Sequence, residues 1–177
     1  NTPTGGDEGN YQYLWELKEG SGAWTVIAGE TSQNLSIQLS TTGTVIFRRT
    51  VKSGSCTSIS NEFQITVQPP ITKNTITAEQ TICSGKAPEI LTGSTPEGAD
   101  GQFLYQWQSS PDGNNWTNIS SGIAKDYQPQ SLTATTYYRR LVGTVQCSGT
   151  LQSTSNAIKV TVNPNAIAEF NWTSDKG

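Results

Sequence analysis

Two arginine pairs, Arg48-Arg49 and Arg139-Arg140, hold the strongest fixed charges of the sequence. Two tryptophans that follow turn sequences, Trp24 and Trp116, and an Asp-Gly-Asn-Asn run at 112–115 are the other groups that could do chemistry. A guanidinium fork matches a carboxylate, so either arginine pair could grip an acidic polysaccharide. Neighbours on a strand point to opposite faces, however, which splits each pair and favours a scaffold role, such as pairing with Glu16. The indoles of Trp24 and Trp116 offer flat faces for a sugar ring, a possible ligand platform; the competing reading makes each a plug at the edge of its own core. Asp112-Gly113-Asn114-Asn115 presents oxygens of the kind calcium takes. The same residues are what a tight turn needs, and the turn is the reading adopted. Asn34, Asn115, Asn118 and Asn171 each begin an Asn-x-Ser/Thr triplet, a pattern that recurs readily in so Ser/Thr-rich a chain.

What is missing narrows the chemistry further. The chain has no His, which closes every imidazole mechanism and the His-bearing zinc sites. Its three Cys, at 56, 83 and 147, form no C-x-x-C pair, so one disulfide and one leftover thiol is the simplest arithmetic, and it points to an oxidising compartment. No pair of acids stands out for hydrolysis and no glycine-rich loop for phosphate. The expectation is a non-enzyme with no catalytic residues, no metal and no cofactor. A net charge of -3 with no basic cluster longer than the two pairs argues against a nucleic-acid surface. No apolar run approaches the length of a membrane span. With no Met, the sequence reads as a mature piece or an excerpt of a longer chain.

The elements that must position these residues come in two copies. Tyr13, Trp15, Trp24, Thr25 and Ile27 recur as Tyr105, Trp107, Trp116, Thr117 and Ile119, 92 residues on. Arg48-Arg49, Val51 and Cys56 recur 91 residues on as Arg139-Arg140, Val142 and Cys147, and Ser60-Asn61 with Ile65-Thr66-Val67 recur 95 residues on as Ser155-Asn156 with Val160-Thr161-Val162. Such self-similarity marks a tandem array. The expected organisation is a module at 1–68 that lacks its first strands, a complete module at 71–163, and the start of a further module or a tail at 166–177. Cys56 and Cys147 are equivalents, and the equivalent of Cys83 would fall before residue 1. The expectation is therefore a Cys83–Cys147 disulfide inside the second module and a free thiol at Cys56, with the first module exposing an unpaired edge and part of its core.

Within each copy the pattern is that of strands. The chain has 25 Thr, 19 Ser, 17 Gly and 8 Pro and only 14% charged residues, which suits strands and turns better than helices. Leu104 to Gln108 alternates Tyr105 and Trp107 with polar neighbours, and Pro111-Asp112-Gly113 then makes a hairpin turn. Residues 135–142 and 156–162 give two more strands. Short strands at this spacing, in a unit of this size, predict an all-β fold of tandem immunoglobulin-like β-sandwich modules, with Trp107 and its equivalent Trp15 as core anchors.

The run from Tyr105 to Ile119, continued by Tyr127-Gln-Pro129 and by residues 132–140, and closed by Cys147 and Ser155-Asn156, resembles the tandem immunoglobulin-like repeats of large Bacteroidetes cell-surface adhesins. These include gliding-motility adhesins of the SprB type, which are type IX secretion substrates. Gln80 to Pro88 fits the same repeat type. The resemblance implies a stalk or adhesive array outside the outer membrane, extracellular and at the cell surface, whose partners are a surface polysaccharide or other copies of the chain. The rival expectation is accessory or spacer modules of a secreted glycan-degrading enzyme.

Overall fold

The structure is a computed structural model that describes residues 2–7, 9–77, 79–147 and 151–168. The described residues are all-β, with eleven strands and no helix, and the chain divides into two compact units at Pro69 and Pro70. Unit one holds β1 (Gln12–Glu19), β2 (Thr25–Val26), β3 (Gly43–Ser53), β4 (Cys56–Ile59) and β5 (Phe63–Val67). Its sheet runs β2-β1-β3-β4, and β5 pairs with a further stretch of β3. Unit two holds β6 (Gln80–Cys83), β7 (Phe103–Ser110), β8 (Thr117–Asn118), β9 (Thr136–Thr144), β10 (Leu151–Thr154) and β11 (Ile158–Asn163). Its sheet runs β6-β11-β9-β7-β8, and β10 also pairs with β9.

The repeat is visible in the register. Trp15 stands opposite Arg49 and Glu16 opposite Arg48 in unit one; Trp107 stands opposite Arg140 and Gln108 opposite Arg139 in unit two. Residues that face each other across antiparallel strands share a face. Each arginine pair is thus divided, one member with the core tryptophan and one on the outer face.

Unit two has a second layer. Extended segments joined by the bridges Thr72 to Glu97, Ile76 to Gly93 and Leu91 to Tyr127 lie over the sheet, and Ile76 and Leu91 pack with Trp107, Tyr138, Ile158 and Val160 in one buried cluster. Trp107 is 0% exposed, and its indole N–H donates to the Ala124 carbonyl at 2.9 Å. Trp15 keeps the equivalent bond, to the Ser32 carbonyl at 2.9 Å, yet it is only half-buried. Trp15 is therefore no anchor of the kind expected: the residues that cover Trp107 belong to the opening segment, which has no counterpart in the described part of unit one. The reading of 166–177 as a further module falls mostly on residues outside those described, and 166–168 carry no strand.

The expected disulfide is not formed. All three cysteines are free, Cys56 and Cys83 exposed and Cys147 half-buried. Cys83 stands opposite Asn163 in the parallel β6–β11 pair, and β11 runs antiparallel to β9 with Val160 opposite Thr136. Cys83 thus lies beyond the start of β9, whereas Cys147 follows the end of β9 at Thr144. A nine-residue strand spans about 26–30 Å, and the three residues after it can retrace only about 10 Å, while a disulfide needs Cα atoms within about 7 Å.

Two outcomes follow from this layering. Trp107→Ala is expected to cost unit two about 3–5 kcal/mol, and Trp15→Ala in its half-covered site about 1–2 kcal/mol, as read from urea unfolding by circular dichroism; equal costs would place the two indoles in equal cores. Ellman titration of the native chain without reductant is expected to count three thiols, Cys147 reacting slowest, and a count of one would restore the bridge.

Candidate functional site

The outer face of each sheet carries the same three-part stack. In unit one the Arg48 guanidinium lies 4.1 Å from the centre of the Trp24 ring and grips Glu16 with two bonds, Nε to Oε2 at 2.8 Å and Nη2 to Oε1 at 3.0 Å. Lys18 Nζ adds a second cation 4.6 Å from the same ring. In unit two Arg139 lies 4.3 Å from the Trp116 ring centre, and its Nε donates to Gln108 Oε1 at 2.7 Å. The fork–carboxylate bond holds the Glu16 carboxyl below the usual carboxylate range, against an opposing push from burial. A guanidinium over an indole is worth about 0.5–1 kcal/mol at an exposed site. Trp24 and Trp116 are half-buried, and a cation of the same unit covers each ring. A sugar stacking there would have to displace it.

The inner members of the pairs differ. Arg140 is 0% exposed: its Nε and Nη2 donate to Asn74 Oδ1 at 3.1 and 2.9 Å, Nη2 also to the Ser94 carbonyl and Nη1 to the Lys125 carbonyl, both at 2.9 Å. Burial pulls its pKa down, opposed by Tyr105 and Asp126. Neutral oxygens satisfy the buried cation, as the cost of burying charge requires. A Cβ at Gly93 would fall onto this guanidinium, so the glycine makes room for it. Arg49 donates to the Gln33 carbonyl at 2.6 Å, the exact equivalent of the Lys125 bond, and lies 5.1 Å from the Tyr13 ring centre. Asn74 was not legible as part of a site; an Asn inside a Thr-rich segment carries no signal of a partner 66 residues away.

The Asp112 run forms the turn between β7 and β8, with Gly113 at a φ of 76°. Both carboxylate oxygens are engaged: Oδ1 accepts from the backbone N–H groups of Asn114 (2.9 Å) and Asn115 (2.8 Å) and from the Ser110 hydroxyl (2.8 Å), and Oδ2 accepts from the Asn115 amide at 2.7 Å. Those donors, the Asn115 and Asn114 N–H first, hold the carboxyl well below the usual carboxylate range. The Asp112 oxygens that would face calcium are already engaged by the donors of the turn. Among the described residues no three His, Cys, Asp or Glu side chains cluster as metal ligands, and no helix is long and apolar enough to cross a membrane. The triplet at Asn171 lies outside the described residues.

One family model, described as Domain of unknown function (DUF8696), matches residues 2–69 and again residues 72–164. The chain belongs to this family. It carries two DUF8696 domains in succession, and the stack of Arg, Trp and Glu or Gln and the indole-to-carbonyl bond occur in both. A comparison with curated proteins finds no match.

Because the folded-state pKa of Asp112 is depressed, its contribution to the turn is full above about pH 4, the unfolded value, and is lost only as pH falls toward the lower folded value. The Asp112 carboxyl carbon, followed by NMR, is expected to stay in its ionised position through pH 4; a midpoint near 4 would show that the donors do not hold it.

Proposed function

We propose that the chain is a non-catalytic repeat region of a large bacterial cell-surface adhesin, built from immunoglobulin-like sandwich modules and serving as a stalk or adhesive array, with gliding motility as one setting. The observation that carries this reading is the repetition itself. Two DUF8696 domains in tandem spend the same distinctive side chains on the same internal contacts. An enzyme concentrates its unusual residues in one place; here the indoles and guanidinia are used once per module to hold the module together. Repeats of this kind extend a protein by addition, each unit folding around its own sheet. The buried layer of unit two, in which Ile76 and Leu91 cover the Trp107 face, supports a sandwich.

Export to the surface is part of the proposal, and so are its partners, a surface polysaccharide or further copies of the repeat. Antibodies raised against the chain are expected to label intact cells of the source organism, and protease treatment of those cells to remove the label. Staining only after permeabilisation would overturn the surface assignment. A catalytic glycan-degrading domain on the same polypeptide would move the reading to spacer modules of an enzyme.

A further inference from the structure

The opening and closing segments of unit two run side by side, parallel and in a single register. In β6 and β11, Gln80 stands opposite Val160, Thr81 opposite Thr161, Ile82 opposite Val162 and Cys83 opposite Asn163. Ser84 continues the line, its N–H donating to the Asn163 carbonyl at 2.8 Å. Upstream the same offset of 80 residues returns at Ile76 and Asn156, where a side chain does the work of a strand. Asn156 Oδ1 accepts from the Ile76 N–H at 2.9 Å, and Nδ2 donates to the Ile76 carbonyl at 3.0 Å. Both ends of one amide thus hold the opening segment in step with the last strand.

Both segments are also anchored sideways. The Gln80 amide exchanges two bonds with the Glu89 backbone, at 2.8 and 3.2 Å, and Ile82 packs against the buried cluster that contains Ile158 and Val160. On its other side β11 pairs with β9. Ahead of Ile76, Asn74 Oδ1 accepts from the buried Arg140 guanidinium while its Nδ2 donates to the Arg140 and Ser153 carbonyls.

The direction of the two segments decides how this line meets a pull. Tension along the chain enters unit two at Pro70 and leaves past Asn163, so it drags the opening segment towards its N-terminal side and β11 towards its C-terminal side. In a parallel pair those are opposite ends, and the load is shear. The bonds of a parallel ladder are evenly spaced, and with one constant offset none gives way until all are strained together. A pull that parts the two segments from one shared end opens the same bonds one after another.

We propose that this line, from the Asn156 amide on Ile76 through the β6 and β11 pair to Ser84, is a mechanical clamp that makes unit two resist tension along the chain far better than tension across the line. Forced unfolding is governed by the unfolding rate and not by equilibrium stability, so a module of ordinary stability holds under load when its bonds are sheared together. The contact of Asn74 with Arg140 keeps the opening segment seated ahead of the clamp. The use of the clamp in a stalk rests on the function proposed above, whereas the clamp itself follows from register and direction alone.

The test pulls one molecule in two directions. The full chain with Cys56→Ser and Cys147→Ser keeps Cys83, exposed at the C-terminal end of β6, as its single thiol for a handle. In single-molecule force spectroscopy at one pulling speed, the chain held by its two ends is expected to show a lengthening of about 30 nm when unit two unfolds, distinct from about 20 nm for unit one. Held instead by Cys83 and the C-terminus, the pair is gripped at the end where Cys83 faces Asn163, and unit two is expected to open at a force roughly twofold or more lower because its bonds break singly. Asn156→Ala, at an exposed site, is expected to lower the end-to-end force and to leave the force from Cys83 unchanged; a change that merely loosened the fold would lower both. Equal forces in the two directions would overturn the proposal, and so would an Asn156→Ala variant whose end-to-end force does not fall or whose two forces fall alike.

Discussion

A sheet face that carries an indole, a phenol ring and a guanidinium has to be covered from the opposite side, and in unit two that cover is Ile76, Leu91 and Asn74. Everything distinctive about the module depends on this. The indole of Trp107 is fully withdrawn from water, Arg140 is buried at no unpaired cost because carbonyl and amide oxygens receive it, and Gly93 is a glycine because the guanidinium occupies the space of its side chain. Unit one has the same strand register and the same indole-to-carbonyl bond, but its groove stands open.

The outer faces have a different logic. There a cation over an indole, tied to a Glu or Gln on the next strand, fastens the turn-following tryptophan to the sheet without burying it. Such contacts are individually small. Their recurrence in both DUF8696 domains makes them part of the module's scaffold, and it explains why residues that look like a ligand platform in the sequence are occupied within the fold. Glu16 and Gln108 show the tolerance of the arrangement: a charged fork and a neutral amide do the same positioning work.

Much of the architecture was legible along the chain because it rests on local signals. Period-two alternation around Tyr105 and Trp107 marks β7, Pro111-Asp112-Gly113 marks the turn that follows, and a constant offset of 92 aligns the two copies. The division of each arginine pair between two faces follows from strand geometry alone. The cysteine pairing failed for an equally physical reason. Repeat equivalence says which cysteines correspond, but not at which end of a sheet each one lies, and the parallel β6–β11 pairing sends Cys83 to the end away from Cys147.

Taken by itself, the sequence determined the all-β character, the tandem organisation, and the face of the sheet to which each side chain points. Those properties depend on nearest neighbours and turn residues. Burial was decided only by tertiary structure. Trp15 and Trp107 sit in matching local sequences and matching registers, yet one is half-covered and the other withdrawn from water, because the cover comes from another layer. The same is true of Asn156 and Asn61, identical residues of which one clamps the Ile76 backbone 80 positions away and the other donates to its neighbour's carbonyl. Strand geometry sets the direction of a side chain, but its surroundings are set by whatever packs against that face, and no local pattern encodes the partner.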